Sequence, residues 1–271
     1  MNICTWKLRA VKRKSPAYMN IIGLWTFVRR ELGRFSRVAV QSLITPWISA
    51  LLYIFVFGRV VGTRMEKIQG VEYVDFVLPG ILMMNIIMAA FMQTAFGLYF
   101  QRFARHIEEI LVAPLAYWEM IIGHIIGGVL RAVLVGLGIY VIAIFFSAAN
   151  FAHVGLFIFY ALSVAVLFSF IGLLIGLWAQ NFEQLNILNT FVIMPLSFLG
   201  GMFNSITMLP LFLQRIVLFN PFFYFIDGIR YAMIGIRETN AGIGVAVIIG
   251  SLTVLGGLVW HLFRIGYRLR V

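Results

Sequence analysis

The chain has 271 residues, of which 62% are hydrophobic and 11% are charged, and its mean hydropathy is +0.98. Soluble globular domains are about 25% charged, so this composition excludes a soluble protein and predicts an integral membrane protein. The net charge is +11, but nine of the 21 Lys and Arg residues lie in the first 37 positions and three in the last eight. Basic residues beside apolar spans mark cytoplasmic segments. We therefore expect both chain ends in the cytoplasm and no nucleic-acid partner.

The side chains that catalysis and metal binding require are scarce. The single Cys4 excludes an internal disulfide and a thiolate metal cluster. The four histidines lack metal-ligand spacing, and neither a nucleophile motif nor a G-x-x-x-x-G-K-[ST] phosphate-binding loop occurs. We therefore expect no catalytic residue, metal or cofactor in this chain. If ATP drives the protein, another chain must supply the ATPase.

The chain begins with a polar, basic segment, residues 1–16, that lacks the apolar core of a signal peptide and is predicted to be a cytosolic tail. Residues 20–37 are predicted to form an amphipathic helix whose apolar stripe is Ile21, Trp25, Val28, Leu32 and Phe35. The opposite side carries Arg30, Arg34 and Arg37. Such a helix lies in the membrane interface with its arginines toward anionic lipid or a partner. A simple membrane anchor without a partner is the alternative.

Six apolar segments are long enough to cross the membrane: residues 38–57, 76–99, 132–149, 154–179, 185–203 and 242–263. Together they define one transmembrane domain, residues 38–271, after the tail and amphipathic helix of residues 1–37. Three of the amides inside the spans are candidates for a structural or path-lining role: Asn85, Gln93 and Asn189. Amides in hydrocarbon usually bond across helices, for about 0.6 kcal/mol each. The alternative is that they line a substrate path.

Three ionisable residues, Glu119, His124 and Arg131, precede the uncharged run of the third span. A charge at the middle of the bilayer costs about 2.5–3.5 kcal/mol, so we expect Arg131 near the cytoplasmic interface, snorkelling or pairing with an acid such as Glu119. A proton relay through His124 and Glu119 is the alternative. Small residues should permit close helix packing at Gly123, Gly127, Gly128, Gly172 and Gly176.

Between the second and third spans, residues 102–113 are predicted to form a short amphipathic helix on the cytoplasmic surface. Its apolar face is Phe103, Ile107, Ile110 and Leu111, at helical spacing. The charged residues outside that face are Arg102, Arg105, Glu108 and Glu109, with Arg105 one turn before Glu109. Pro114 should end the helix. Such a helix offers its charged side to a cytosolic partner, or it merely fills the turn between two spans.

Residues 205–240 are apolar but interrupted by polar residues and prolines. A full span here would make seven crossings and place the basic C-terminus outside, although basic segments beside spans normally lie in the cytoplasm. We therefore expect two short helices that enter the outer leaflet and return, with any irregular backbone buried in protein or lining a cavity. Asp227 and Arg230, three residues apart, should neutralise each other.

Two stretches together carry a family resemblance. The first is EEILVAPL, residues 108–115. The second begins at PLSFLGGMF, residues 195–203, continues through Leu209-Pro210 and ends in FNPFFYFIDGIR, residues 219–230. With the amphipathic N-terminal helix and six spans, this pattern resembles the ABC-2 type permease family, the membrane subunits of ABC exporters, which includes nodulation-factor and drug-resistance export permeases.

The resemblance implies an all-α permease in a bacterial inner membrane that pairs with a second copy and docks two ABC ATPase subunits, which bind ATP and Mg²⁺. Residues 20–37 would be a connecting helix, and spans one, two and five would line the path of a lipid, glycan or drug-like substrate. The coupling helix would include Arg105, Glu108, Glu109, Ile110, Leu111, Ala113, Pro114 and Leu115. The re-entrant exit region would include Gly200, Gly201, Pro210, Asn220, Pro221, Asp227 and Arg230. The alternatives are a membrane-embedded lipid-modifying enzyme and a scaffold that transports nothing.

Overall fold

Helices form almost all of the regular structure in the computed structural model, which describes residues 20–57, 62, 67–68, 70–113, 115–146 and 151–269. Within these residues the only β-pairing is an isolated bridge between Ile68 and Val71. The predicted basic tail, Pro114 and most of the loop 58–66 lie outside the described residues. The prediction of an all-α fold is confirmed.

Six helical segments are long and apolar enough to cross a membrane, as predicted. They are α1 (Ile21–Phe55), α2 (Tyr73–Phe103), α4 (Tyr117–Ile144), α5 (Val154–Trp178), the composite segment Phe182–Leu199, and α10 (Ala241–Ile265). The composite segment consists of α6 (Phe182–Leu188), a π-helical turn (Asn189–Ile193) and α7 (Met194–Leu199). A short helix, α3 (His106–Val112), lies between α2 and α4.

The first helix differs from its prediction. The predicted amphipathic helix and first span are one continuous helix, α1, with no break near residue 37. The sequence there contains a change in charge but no helix-stopping glycine or proline, and Pro46 is the only proline inside α1. At 1.5 Å per residue its 35 residues extend about 52 Å, whereas the hydrocarbon is about 30 Å thick. Part of α1 therefore extends beyond the hydrocarbon.

The predicted helix 102–113 begins too early. Residues 101–103 belong to the end of α2, and a two-residue turn at Ala104-Arg105 separates them from α3. Arg105 has φ 58° and ψ 8°, a left-handed conformation that ends the helical path. A non-glycine residue rarely adopts this conformation, and nothing in the local sequence indicates it.

The core helix is α2, which packs against α5 and α4 through small residues. A Cβ on Gly172 of α5 would lie 2.0 Å from Thr94 Oγ1 and 2.6 Å from the Phe91 carbonyl oxygen. A Cβ on Gly176 would lie 2.9 Å from the Ala95 carbonyl oxygen. Only glycine permits this approach, so the predicted packing face at Gly172 and Gly176 is confirmed.

Residues 205–240 contain no span, as predicted, but three short helices instead of the expected two. They are a 3₁₀ turn (Ile206–Met208), α8 (Leu211–Phe219) and α9 (Pro221–Ile234). Asn220 begins α9 by accepting a 3.0 Å hydrogen bond from the Phe222 amide, and Gly235 ends it in a left-handed conformation. None reaches the roughly 20 residues that a crossing requires. Their entry into the outer leaflet stays a prediction.

Candidate functional site

The helix α3 lies against the body of the protein through two isoleucines. Ile107 and Ile110 are 1% and 3% exposed and pack in an apolar cluster with Phe27 of α1. Glu108 and Glu109 point away from this cluster and are exposed. The amphipathic character of this helix is thus present, but Phe103 does not share its apolar face. Phe103 lies at the end of α2 and is 63% exposed.

An ion pair connects the exposed side of α3 to α1. Arg30 Nη1 lies 3.7 Å from Glu109 Oε2, with side chains 43% and 69% exposed, and His106 Nδ1 lies 3.8 Å from Glu109 Oε1. Exposed pairs of this kind contribute about 0–1 kcal/mol. The expected pairing of Arg105 with Glu109 is wrong, because Arg105 precedes α3 in the left-handed turn.

The buried carboxylate of Glu119 joins the start of α1 to the start of α4. Its Oε1 accepts a hydrogen bond from the Asn20 amide and its Oε2 accepts one from the Ala116 amide, each at 2.7 Å. Both amides belong to helix N-termini, where N–H groups lack intrahelical partners and the helix dipole favours a negative charge. Glu119 therefore has a positioning role here and is not the partner of Arg131.

A second buried carboxylate, Glu31, links α1 to α2. It is 3% exposed and accepts hydrogen bonds from the Arg34 guanidinium and, at 2.5 Å, from Gln101 Nε2. Arg34 Nη1 also donates to the Gly97 carbonyl at 3.1 Å. The prediction that Arg34 faces lipid or a partner is wrong, because Glu31 turns it inward. Arg37 is exposed, as predicted.

The network continues into α4 through His124. Its Nε2 lies 3.3 Å from Gln101 Oε1, and its Nδ1 lies 2.8 Å from the Met120 carbonyl oxygen. His124 thus has different partners from Glu119, contrary to the alternative of a relay between them. Gly123 lies beside it, and a Cβ there would meet the Phe27 ring at 2.2 Å. The prediction of close packing at Gly123 is confirmed.

The end of α2 is also tied to the end of α5. The buried Arg102 Nη1 donates to the carbonyl oxygens of Gly176 and Ala179 at 2.7 and 3.2 Å. Tyr99 donates to the Gln180 carbonyl at 3.1 Å. The expectation that Arg102 lies on an exposed charged side is wrong, because the residue belongs to the buried helix α2 and not to α3.

At the other end of the molecule, Arg230 of α9 is fully buried. Its Nη2 donates to the Gly201 carbonyl, its Nε donates to the Phe76 carbonyl at 3.3 Å, and its Cζ lies 3.9 Å from the centre of the Phe76 ring. Burial lowers the pKa of the Arg230 guanidinium to about 10, although the carboxylates of Glu238 and Asp227 raise it. Arg230 therefore remains charged at neutral pH.

Asp227 holds the loop that precedes α10. Its Oδ1 accepts from the Glu238 amide at 2.8 Å, and its Oδ2 accepts from the Thr239 amide at 3.1 Å and from the Thr239 hydroxyl. The Glu238 carboxylate in turn accepts from Ser205 and from the Ile206 amide. Asp227 and Arg230 form no direct hydrogen bond, because Asp227 bonds the loop before α10 and Arg230 bonds the carbonyls of Gly201 and Phe76. The Asp227 carboxylate nevertheless raises the pKa of the Arg230 guanidinium, in line with the expected charge compensation.

The remaining residues of the predicted exit region lie at helix boundaries. Gly200 ends α7, and Gly201 follows with φ 84°. Pro210 precedes α8, and Asn220 Nδ2 donates to the Leu196 carbonyl of α7 at 2.7 Å. Together with Arg230 and Asp227, these contacts join α7, α9 and the loop before α10 into one packed unit.

A groove of about 490 Å³ lies between α1, α2, α4 and α7. Its polar lining residues are Gln41, Ser42, Thr45, Ser49, Tyr53, Asn85 and Arg131, and its methionines are Met84, Met88, Met92 and Met194. Of the amides considered for a path, Asn85 lines this groove and donates to its own helix at Ile81. Gln93 bonds across helices by accepting from Arg131 Nη1 at 3.4 Å. Asn189 begins the π-helical turn, and its buried Oδ1 has no partner among the described residues.

Arg131 has no acidic partner among the described residues, contrary to the expectation, and its depth in the membrane stays a prediction. It is 14 positions after the start of α4 and 13 before its end, so it occupies the middle of that helix. Its distance along the helix from Glu119 is about 18 Å. The helix begins well before the uncharged run, which is why the expected pairing with Glu119 fails.

Three functional candidates were missed by sequence reasoning: Glu31, Gln101 and Glu238. For Glu31 a signal existed, since it shares a helical face with the buried Phe27, Val28 and Phe35, and an acid on an apolar face needs a buried partner. Gln101 and Glu238 gave no such signal, because their partners are 70 and 33 positions away. Within the described part of the chain, no group of three His, Cys, Asp or Glu side chains could hold a metal ion.

Most of the chain is similar in sequence to known transport permeases. Residues 23–234 match the model of the ABC-2 type transporter family. The inner membrane transport permease YadH of Escherichia coli K12 is 36% identical over 250 residues, covering 92% of this chain and 97% of that protein. Nodulation protein J of Rhizobium leguminosarum bv. viciae is 25% identical, covering 85% and 88%, and that of Rhizobium meliloti is 25% identical, covering 90% and 92%. The chain therefore belongs to the ABC-2 type transporter family and is a multi-pass transport permease of the inner membrane, not an enzyme.

Proposed function

We propose that this permease is the membrane subunit of an ATP-driven exporter and that a separate ABC ATPase binds the surface formed by α3 and the first turns of α1. Permeases of this family generally work with such an ATPase. The observation that carries the proposal is the amphipathic character of α3. It buries Ile107 and Ile110 and exposes the carboxylates of Glu108 and Glu109 beside Arg30.

The contacts around α3 are suited to transmitting a displacement from a bound partner to the membrane-spanning helices. A two-residue turn connects α3 to α2, and residues 113–116 connect it to α4. Glu119 holds the starts of α1 and α4 together, and Glu31 holds α1 to α2. Because close-packed interiors deform little, a displacement of α3 moves these three helices as a rigid unit.

In the proposed assembly, ATP and Mg²⁺ bind to two ATPase subunits, and two permease copies face each other across α1 and the segment Phe182–Leu199. The apolar windows of these two segments are only 11% and 17% buried, so most of their surface faces outward. Both chain ends are cytoplasmic, and the substrate, a lipid, glycan or drug-like molecule, moves outward. Since Cys4 is the only native cysteine, cysteine pairs placed on α1 and α7 in a Cys4→Ser background test the dimer by crosslinking.

The experiment that tests the ATPase surface is co-expression with the candidate ATPase, followed by affinity purification and measurement of ATP hydrolysis in liposomes. A Glu108→Lys/Glu109→Lys variant should lose at least about tenfold in ATPase co-purification, because it reverses two exposed charges at the proposed contact. The matched control is Glu72→Lys, which reverses an exposed charge at the opposite end of α2. Unchanged co-purification of the double variant, or equal loss in the control, would contradict the proposed surface.

Transport direction has its own test. Inside-out vesicles that contain both subunits should accumulate substrate when ATP is added outside them, whereas right-side-out vesicles should not. A cysteine introduced at Arg105, in the Cys4→Ser background, should react with a membrane-impermeant maleimide only in inside-out vesicles. Reaction in right-side-out vesicles would place α3 on the wrong side of the membrane and would overturn the exporter assignment.

A further inference from the structure

The groove between α1, α2, α4 and α7 contains one formal charge. Arg131 lines it, and neither an acidic residue nor a second Lys, Arg or His does so within the described residues. Gln93 Oε1 accepts from Arg131 Nη1 at the long distance of 3.4 Å, and Arg131 Nε is buried with no hydrogen-bond partner among the described residues. Arg131 is half-buried, and a cation withdrawn from water is costly unless it is paired, so the guanidinium attracts an anionic group that enters the groove.

The wall formed by α1 presents hydrogen-bond acceptors along one helical face. Ser42, Thr45 and Ser49 line the groove at helical spacing. The hydroxyls of Ser42 and Thr45 donate to carbonyl oxygens of their own helix, at Ala39 and Gln41. Their oxygen lone pairs are then available to accept hydrogen bonds, which suits a ligand that carries hydroxyl groups.

The wall formed by α2 and α7 is mostly apolar, with Asn85 as its one amide. Met84, Met88 and Met92 project from α2 at i, i+4 and i+8, and Met194 contributes from α7. Methionine is unbranched and polarisable, so methionine surfaces adapt to flexible apolar ligands of varied shape. The groove thus combines a cation, a row of hydroxyl oxygens and a methionine surface.

We infer that this groove binds an anionic amphiphile, with its phosphate or carboxylate at Arg131, neighbouring hydroxyls on the α1 side and its apolar chain against the methionines. Guanidinium is the cation best matched to such oxyanions. The inference rests on the proposed transport function, and it narrows the substrate to an anionic lipid-like molecule with hydroxyl groups in its head.

The test is equilibrium binding to the full-length permease, purified in a neutral maltoside detergent, with radiolabelled dioctanoyl phosphatidylglycerol as the probe. Unlabelled dioctanoyl glycerol has the same chains without the phosphate, and glycerol 1-phosphate has the phosphate and hydroxyls without the chains. Phosphatidylglycerol should bind about tenfold more tightly than dioctanoyl glycerol, a difference typical of one charge-assisted pair. Glycerol 1-phosphate should compete only at concentrations about a hundredfold higher.

The decisive variant is Arg131→Gln, which should lose the tenfold preference for phosphatidylglycerol and keep the affinity for dioctanoyl glycerol. Arg131→Lys keeps the charge without the planar guanidinium, so it should keep a reduced preference for phosphatidylglycerol of about threefold. The control is Arg215→Gln, which removes an exposed arginine of α8 that does not line the groove and should retain the preference. Elution as a single species and an unchanged unfolding temperature show that each variant is folded.

Retained preference in Arg131→Gln, equal binding of the two lipids by the wild type, or equal competition by glycerol 1-phosphate would each overturn the inference. The binding assay contains no ATPase, so it is separate from the test of the proposed function. Arg131-dependent lipid binding together with normal ATPase co-purification of Glu108→Lys/Glu109→Lys would keep the site and refute the ATPase surface. The reverse pair of results would keep the exporter and refute the site.

Discussion

Glu31 is the residue whose removal should damage the permease most at its junction of α1, α2 and α4. It is 3% exposed and accepts hydrogen bonds from Arg34 and Gln101. Each hydrogen bond to a charged group contributes about 1.5–3 kcal/mol. Gln101 is buried as well, whereas the Arg34 side chain is 30% exposed and can recover some hydration. We therefore expect Glu31→Ala to lower the free energy of unfolding by about 2–4 kcal/mol, below the 3–5 kcal/mol typical of a fully buried pair.

The assay is unfolding of the purified permease in mixed maltoside and dodecyl sulfate micelles, monitored by tryptophan fluorescence. The matched control is Glu109→Ala, which removes a carboxylate of 69% exposure from the ion pair with Arg30 and should cost less than about 1 kcal/mol. In a double-mutant cycle, Glu31→Ala and Gln101→Ala should be non-additive by about 0.5–3 kcal/mol, because the two side chains contact each other.

Equal destabilisation by Glu31→Ala and Glu109→Ala would refute this prediction, since the carboxylate of Glu31 is more buried and closer to its partners than that of Glu109. Additive behaviour in the cycle would also contradict it, because it would mean that the Glu31–Gln101 contact contributes nothing.

Three further predictions concern other parts of the molecule. Gly172→Ala should destabilise by about 1–3 kcal/mol, because its Cβ would lie 2.0 Å from Thr94 Oγ1 and 2.6 Å from a backbone carbonyl of α2. Gly250→Ala in α10, where a Cβ meets nothing within 4 Å, should stabilise by about 0.5–1 kcal/mol in the same unfolding assay. Asp227→Asn should lower ATP-dependent transport in vesicles without changing ATPase co-purification, because an amide nitrogen cannot accept one of the hydrogen bonds from residues 238–239, and each lost bond costs about 1–3 kcal/mol. Loss of co-purification in Asp227→Asn would show that its effect is not confined to the α9 region.

The spans were predictable from the sequence because a membrane crossing needs a long apolar run, and such runs are visible without knowledge of any contact. The glycine face of α5 was predictable for a similar reason, since small residues one turn apart mark close packing. The absence of a span in residues 205–240 followed from charge placement, because a seventh crossing would have moved the basic end of the chain outside.

The charged residues were the ones that the sequence placed wrongly. Arg34, Arg102 and Arg131 all looked like residues of exposed or interfacial surfaces, and all three bond inside the helix bundle. Helical periodicity shows which residues share a face, but it does not show whether that face meets lipid, water or a distant polar group. Apart from Glu31, which lies three positions before Arg34, their partners lie 38 to 77 positions away in the sequence, so no local pattern could identify those distant partners.

The start of α3 was missed for a different physical reason. Helix propensity through residues 101–112 is uninterrupted, and a helix predictor that sees only local preference continues through Arg105. The chain instead accepts a left-handed Arg105, which costs about 1–2 kcal/mol. Burial of Ile107 and Ile110 against Phe27 offsets that cost, and it is available only once α3 has turned away from α2.

The junction of α1, α2, α3 and α4 combines strong buried contacts with one weak exposed ion pair. This combination allows it to transmit a movement and also to bind a partner. Its internal ties, through Glu31 and Glu119, are buried, and a charge already withdrawn from water is expensive to separate from its partners. The Arg30–Glu109 pair is exposed on both sides and weak, so a docking protein could replace it with its own charges at little cost. Binding would then rearrange only the outer pair, while α1, α2 and α4 stay joined and move together. A junction with weak buried contacts and a strong exposed ion pair would behave differently. Its exposed pair would resist replacement by a docking protein, and its helices would separate before a displacement reached the membrane spans.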